Sequence, residues 1–243
     1  MKTNTEKIST GSYDLNNWLF GGYEKDVVTM IAGPPGSGKT NMSILAACSQ
    51  AKKGSKIIFI DTEGGFSVER LKQIVGDDYK NILNKFFLLE PINFDEQKKC
   101  FSQLLDKIKK EHVGLIVIDG MAALYRLELG EIKSDEKKVK ELNSKVAWQM
   151  KILSEISRKQ NIPIIITNQV YSDFLSEEDL KKGMKKEVNL VGGYLFKYWS
   201  KCIIELQNER GKRNAKLLKH RSLPEKNFSF VIKNEGIFKK GWI

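Results

Sequence analysis

Short apolar runs of strand length alternate along the chain with segments whose apolar residues recur every three or four positions. Val27–Ala32, Lys56–Asp61, Phe86–Leu89, Val113–Asp119 and Ile162–Thr167 are runs of the first kind. Strands this continuously apolar belong to parallel sheets covered by helices on both faces. Between them, Phe94–Glu111 sets Phe101, Leu104, Leu105 and Ile108 on one helical face. A second helix is expected to begin near Lys39, after a Gly-rich turn, and a long one to cover Val139–Lys159. Past Gly193 the pattern changes. Lys201–Leu206, Ala215–Lys219 and Phe228–Lys233 read as shorter strands separated by turns, suited to antiparallel pairing. These patterns predict one α/β domain over residues 1–243: a mostly parallel central sheet flanked by helices, with a β-rich C-terminal edge.

Candidate chemistry gathers where these strands end. Gly33-Pro34-Pro35-Gly36-Ser37-Gly38-Lys39-Thr40 fits the phosphate-loop pattern G-x-x-x-x-G-K-[ST] and lies between a predicted strand and a predicted helix. Its glycines let successive backbone N–H groups turn toward phosphate, and the helix adds its positive end. Lys39 supplies a point charge for the β- and γ-phosphates, and the Thr40 hydroxyl suits Mg²⁺. The expected ligands are therefore ATP and Mg²⁺. Asp119 ends the apolar run 114–119, which places it at the carboxyl edge of the sheet beside the metal. Glu63 follows the strand ending at Asp61, so it too reaches that edge and can orient an attacking water. A helix cap or a plain loop acid is the alternative. Gln169, after Thr167-Asn168, can report the γ-phosphate to the loop that follows, or is ordinary strand-end polarity.

Composition narrows the setting. Of 243 residues, 41% are hydrophobic and 29% charged, which excludes a disordered chain. No apolar run approaches the ~18 residues of a membrane span. Met1–Thr10 is polar and lacks a signal-peptide core, so a cytoplasmic protein is expected. Cys48, Cys100 and Cys202 are too scattered for a disulfide framework or a zinc site and are expected to be buried thiols. The net charge of +11 suits a polyanion such as nucleic acid, or equally a solvated Lys-rich surface. The densest basic stretch is Lys201–Arg221, with Lys201, Arg210, Lys212, Arg213, Lys216, Lys219 and Arg221 set against Glu205 and Glu209. Tyr194, Phe196, Tyr198 and Trp199 lie just before it, a combination suited to single-stranded nucleic acid unless the aromatics are core.

The phosphate loop, Ser9-Thr10-Gly11, Leu19-Phe20-Gly21-Gly22, the run Asp61–Leu71, Thr167-Asn168-Gln169-Val170 and Gly192-Gly193 together resemble the RecA-like recombinases of archaea and eukaryotes. The resemblance spans residue 8 to the C-terminus. It implies a RecA-like ATPase core in which Glu63 activates water, Gln169 senses the γ-phosphate and Arg70 stacks on adenine. It also implies that Lys219 and Arg221, flanking His220, reach the ATP of a neighbouring subunit, contact DNA, or form a solvated edge. Two segments would face DNA in such a protein, Arg126–Lys138 and the stretch between Gln169 and Gly192. Met1–Thr10 holds neither a separate DNA-binding domain nor the Phe-x-x-Ala polymerisation motif. What is expected is therefore an accessory protein of homologous recombination and DNA repair. It would be a weak ATPase that binds single-stranded or branched DNA and assists a RadA-type recombinase and a Holliday-junction nuclease. The competing reading is a KaiC-like regulatory ATPase that acts on protein partners without DNA.

Overall fold

The structure, a computed structural model, describes residues 6–172, 188–190 and 192–241. Six strands form the parallel centre: β3 (Val28–Gly33), β4 (Lys56–Asp61), β5 (Phe86–Leu89), β6 (Val113–Asp119), β7 (Ile164–Ser172) and β9 (Cys202–Glu209). Their order is β5-β4-β6-β7-β3-β9. Beyond β9 the sheet continues antiparallel through β10 (Lys212–Lys219), β11 (Lys226–Lys233) and β12 (Gly236–Lys239). A short strand β8 (Val188–Leu190) pairs antiparallel with the end of β7. The remaining strands, β1 (Lys7–Ile8) and β2 (Tyr23–Glu24), form a small antiparallel ribbon.

The period-two geometry of a strand divides each apolar run between two cores. Ile57, Phe59, Leu115, Val117 and Ile165 face one layer with helices α1 (Tyr13–Trp18), α2 (Lys39–Lys52), α3 (Val68–Val75) and α4 (Tyr79–Leu83). Ile58, Ile60, Ile116, Ile118 and Ile166 face the other, with α5 (Phe94–Lys110), α6 (Ala123–Ile132), α7 (Glu136–Gln160) and a short α8 (Tyr194–Trp199). The long helix α7 is amphipathic. Leu142, Val146, Met150 and Leu153 line its buried stripe, and the Asp135 carboxylate caps its start by accepting from Lys137 N and Lys138 N.

Three expectations change here, and one falls outside the described residues. The strand expected at 162–167 runs on to Ser172, because its extension gains a partner in β8. The segment Arg126–Lys138, expected as a DNA-facing loop, is instead mostly α6 and the first turn of α7. Tyr125, Leu129 and Ile132 recur at helical spacing and turn toward the core, and Tyr125 Oη donates to Asn143 Oδ1 at 2.8 Å. Leu105 lies at the rim of the α5 stripe and is 36% exposed. Most of the other segment expected to face DNA, 173–187 and residue 191, lies outside the described residues.

The C-terminal strands reach back to the start of the chain. Ser12 caps α1, and its hydroxyl donates to the carbonyl of Ile237 at 2.5 Å. Lys239 N donates to Asp14 Oδ2 at 2.7 Å, Lys226 Nζ donates to the carbonyl of Trp18, and the Trp18 ring lies 5.5 Å from that of Phe228.

Candidate functional site

Register brings the candidate residues together. Gly33 pairs with Gln169 across β3 and β7, and Asp61 pairs with Asp119 across β4 and β6. Gly33, Asp61 and Asp119 end their strands, and Gln169 is the last residue of β7 in parallel register with β3, so all four stand at the carboxyl edge of the parallel sheet, where ligands bind in open α/β sheets. The phosphate loop needs its glycines for two separate reasons. A Cβ on Gly33 would lie 2.7 Å from the carbonyl oxygen of Leu206. Gly38 adopts φ +107° at the start of α2, and a Cβ there would meet Ile232 Cδ1 at 2.9 Å.

Lys39 Nζ donates to the carbonyls of Gly33 and Pro34 at 3.0 and 3.1 Å, so the ammonium sits inside the curl of the loop. Burial draws its pKa below the ordinary lysine value, opposed by the charges of Glu63 and Asp119. Thr40 Oγ1 donates to Asp119 Oδ2 at 2.7 Å, and Thr167 Oγ1 donates to Asp119 Oδ1 at 2.6 Å. Burial raises the Asp119 carboxyl, and these two hydroxyl donors pull it back down. On the far side of the cleft, Gln169 Nε2 donates to Glu63 Oε1 at 3.0 Å.

The cleft encloses about 450 Å³ and is lined by Pro35, Gly36, Lys39, Thr40, Glu63, Gln169 and Arg213, among others. Glu63 and Gln169 also line a neighbouring cavity of about 710 Å³ with Ala122, Arg126 and Leu127.

Several residues that organise this site do so without having been singled out in the sequence. The Asp61 carboxylate accepts from the backbone N–H of Glu63, Gly65 and Phe66 at 3.1, 3.2 and 2.8 Å, which folds the loop that carries Glu63. Thr62 Oγ1 donates to the carbonyl of Gly120 at 2.8 Å, tying that loop to the end of β6. Thr167 both receives from Gly120 N and donates to Asp119. Small polar residues at buried strand ends were the available signal.

Arg70 stands on α3, where its Nη1 donates to Gln73 Oε1 and to the carbonyl of Asn234 at 2.9 and 3.0 Å. It does not line the phosphate cleft. Cys48, Cys100 and Cys202 are buried, and burial pushes the Cys48 and Cys202 thiols up to about 12.

The basic stretch 201–221 does not form one strip. Arg210 and Gly211, at φ 50° and 81°, make the tight turn between β9 and β10. Lys212 and Lys219 then stand at opposite ends of β10, roughly 20 Å apart at ~3.3 Å per residue. Arg210 and Lys212 are exposed at the turn, while Lys216 pairs with Glu225 at 3.3 Å. Of the aromatics before the stretch, Phe196 is core, whereas Tyr194 and Tyr198 are exposed with ring centroids 6.1 Å apart.

The side chains at residues 219–221 make contacts within their own chain. Lys219 Nζ donates to the carbonyl of Lys197 at 2.9 Å. The buried His220 accepts from Ser222 N and Leu223 N on Nδ1, and burial lowers its pKa. Arg221 donates through Nη1 and Nη2 to both oxygens of Asp26, and its Nε lies 2.9 Å from buried Glu24. Arg221→Ala is therefore expected to destabilise the protein, because it leaves Glu24 buried without its cation. Breaking a buried pair costs about 3–5 kcal/mol. The Arg221 side chain is 37% exposed, so solvent screening reduces this to about 2–3 kcal/mol. The melting temperature should fall by about 5–10 °C, with DNA affinity unchanged. Weakened DNA binding at unchanged melting would reverse the assignment.

A strand–phosphate loop–helix unit facing an acidic strand end, within a sheet of this order, defines a RecA-like nucleotide-binding protein. The chain belongs to the Rad51 family, whose model matches residues 1–240. It is 42% identical over 236 residues to the DNA repair and recombination protein RadB of Methanobrevibacter smithii, covering 95% of each chain. It is 39% identical over 234 residues to RadB of Methanosphaera stadtmanae, covering 95% of this chain and 94% of the relative. With RadB of Methanocaldococcus jannaschii it shares 38% identity over 223 residues, 92% of this chain and 98% of the relative.

Proposed function

We propose that the chain is an ATP- and DNA-binding accessory protein of homologous recombination and repair, with weak ATPase activity. The observation that carries the nucleotide half is the chain of contacts from Thr40 through Asp119 to Thr167, set beside Lys39 and faced by Glu63 and Gln169. The printed names of the relatives, DNA repair and recombination proteins, support the recombination half.

The donor set fits Mg²⁺. A hydroxyl and a buried carboxylate stand side by side, both hard oxygen donors, and Asp61 and Glu63 add negative charge nearby. Among the described residues no group of three His, Cys, Asp or Glu stands together as a metal cage. Thr40 and Asp119 would therefore hold the ion together with phosphate oxygens. Bound there, Mg²⁺ would neutralise charge developing on the transferred phosphoryl group. The backbone of the phosphate loop and Lys39 bind the phosphate chain. Glu63 orients and deprotonates the attacking water, and Gln169 holds the Glu63 carboxylate toward the cleft. Arg70 lies on the α3 side, where its guanidinium plane would meet the adenine.

DNA contacts are assigned to Arg210, Lys212 and Lys216 on the β9–β10 hairpin, with a RadA-type recombinase and a junction nuclease as protein partners; Arg213, grouped with them in the sequence, turns into the phosphate cleft instead. Arg210 and Lys212, exposed at the turn, carry most of this reading. A sequence-independent electrostatic interface loses affinity steeply with salt, with a slope of about −0.7 per phosphate neutralised on a single strand. Anisotropy of a labelled single strand, titrated across a salt series, tests it. The double variant Arg210→Ala/Lys212→Ala should weaken binding and flatten the slope by about 1.4. Absence of binding at low salt would remove DNA as the partner. The regulatory ATPase reading drew its sequence support from Lys219 and Arg221, and both are bonded within the chain.

A further inference from the structure

Arg213 has a place that its neighbours in the basic stretch do not share. It lies one residue into β10, paired across the sheet with Asn208 on β9 and Phe230 on β11. Strand alternation turns its side chain away from the exposed face that carries Lys212 and into the phosphate cleft, which it lines with Lys39, Thr40, Glu63 and Gln169. Its Nε is buried and makes no hydrogen bond with the protein. A desolvated N–H on a permanent cation is costly unless an acceptor meets it, and an anion meets it best.

The frame around Arg213 is fixed to the phosphate loop at several points. Asn208 Nδ2 donates to the carbonyl of Gly36 at 3.4 Å. Leu206 closes on Gly33 with its backbone, leaving no room for a Cβ there, and Ile232 packs its terminal methyl against Gly38. β9 and β11, which flank the strand that carries Arg213, are thus both seated on the loop that would cradle the phosphates. Asn208, just before the turn that leads to Arg213, touches the phosphate loop at Gly36.

We infer that Arg213 is a second phosphate-binding cation of the nucleotide site, supplied by the same chain and directed at the γ end of a bound triphosphate. This rests on the ATP reading above. The γ end is assigned because Arg213 shares the cleft with Glu63 and Gln169, the pair placed for the attacking water, and not with Arg70 on the α3 side. Lys39 is a point charge within the loop, whereas a guanidinium offers a planar fork that can bridge two oxygens of one phosphoryl group. A cation delivered in this way comes from the same chain and needs no neighbouring subunit.

The test is fluorescence titration of the full chain with labelled ATPγS and labelled ADP, using wild type, Arg213→Ala, Arg213→Lys and Lys39→Ala. Arg213→Ala is expected to weaken ATPγS binding at least tenfold and ADP binding no more than threefold, and Arg213→Lys to recover part of the loss. Single-strand DNA affinity of Arg213→Ala should stay within twofold of wild type. Equal affinity of Arg213→Ala and wild type for ATPγS, with binding lost in Lys39→Ala, would overturn the role of Arg213 and leave the ATP site standing. Equal losses for ATPγS and ADP would overturn the γ assignment. Failure of wild type to bind either nucleotide would remove the ATP reading itself and this inference with it. Thermal melting verifies the fold of each variant. If Arg213→Ala melts early, Arg213→Gln, which keeps the side chain's length and polarity, takes its place in the same comparison.

Discussion

Lys39→Ala should abolish measurable ATP binding while leaving the folded protein intact. The ammonium is held by two carbonyls of its own loop, Gly33 and Pro34, so it stands ready for the phosphate chain. Hydrogen bonds to charged groups are worth about 1.5–3 kcal/mol each, and Lys39 would make at least two with phosphate oxygens. The expected loss is thus about 3–4 kcal/mol, a factor of several hundred in affinity. The fold has little to lose, because burial already disfavours the charged lysine and alanine is a good helix former at the start of α2. Thermal melting with and without ATP reads both effects. Wild type should gain about 2.7 kcal/mol at a ligand concentration 100 times Kd, whereas Lys39→Ala should gain nothing at the same concentration. An ATP-induced rise in melting temperature that survives in Lys39→Ala would move the nucleotide away from this loop.

Glu63→Gln is expected to have the largest effect on turnover. A positioned general base contributes about 10²–10⁴ in rate. Glutamine keeps the size of the side chain and can still meet Gln169, but it cannot take a proton from water. Phosphate release in single turnover should fall by about that factor, while ATP affinity stays within about threefold. Gln169→Ala should lower turnover less, since it removes only the donor that holds Glu63 at 3.0 Å. Unchanged turnover in Glu63→Gln would assign water activation to another group.

The elements were legible where one local signal decided them. β4, β5 and β6 begin and end at the residues expected, because apolar runs bounded by polar turns leave no alternative. The placement of Gly33, Asp119, Glu63 and Gln169 at one edge was legible for the same reason, since each lies at or just past the parallel part of a strand and the register gathers those positions together. What could not be read was anything that depends on which strands of the antiparallel edge come together. Arg213 looked like one more cation in a basic stretch, and only pairing with β9 and β11 turns it into the cleft. Arg221 and His220 looked available, but their partner Glu24 is almost two hundred residues distant in sequence. The segment 126–138 was expected to face DNA as a loop on the resemblance alone, whereas α6 packs against α7, with Tyr125 bonded to Asn143, as a helix.

The contacts that join α1 to β12 also set an order of events during synthesis. The Ser12 hydroxyl finds its acceptor 225 residues later, in Ile237. Until β11 and β12 leave the ribosome, Trp18 lacks Phe228 and the phosphate loop lacks the Ile232 contact at Gly38. Contacts of such long range form late, after the cost of closing the intervening chain has been met. A nascent chain carrying only the parallel strands would hold every residue from Gly33 to Gln169 and still present an unfinished phosphate site. Competence to hold a nucleotide would then appear only once β11 and β12 have joined the sheet.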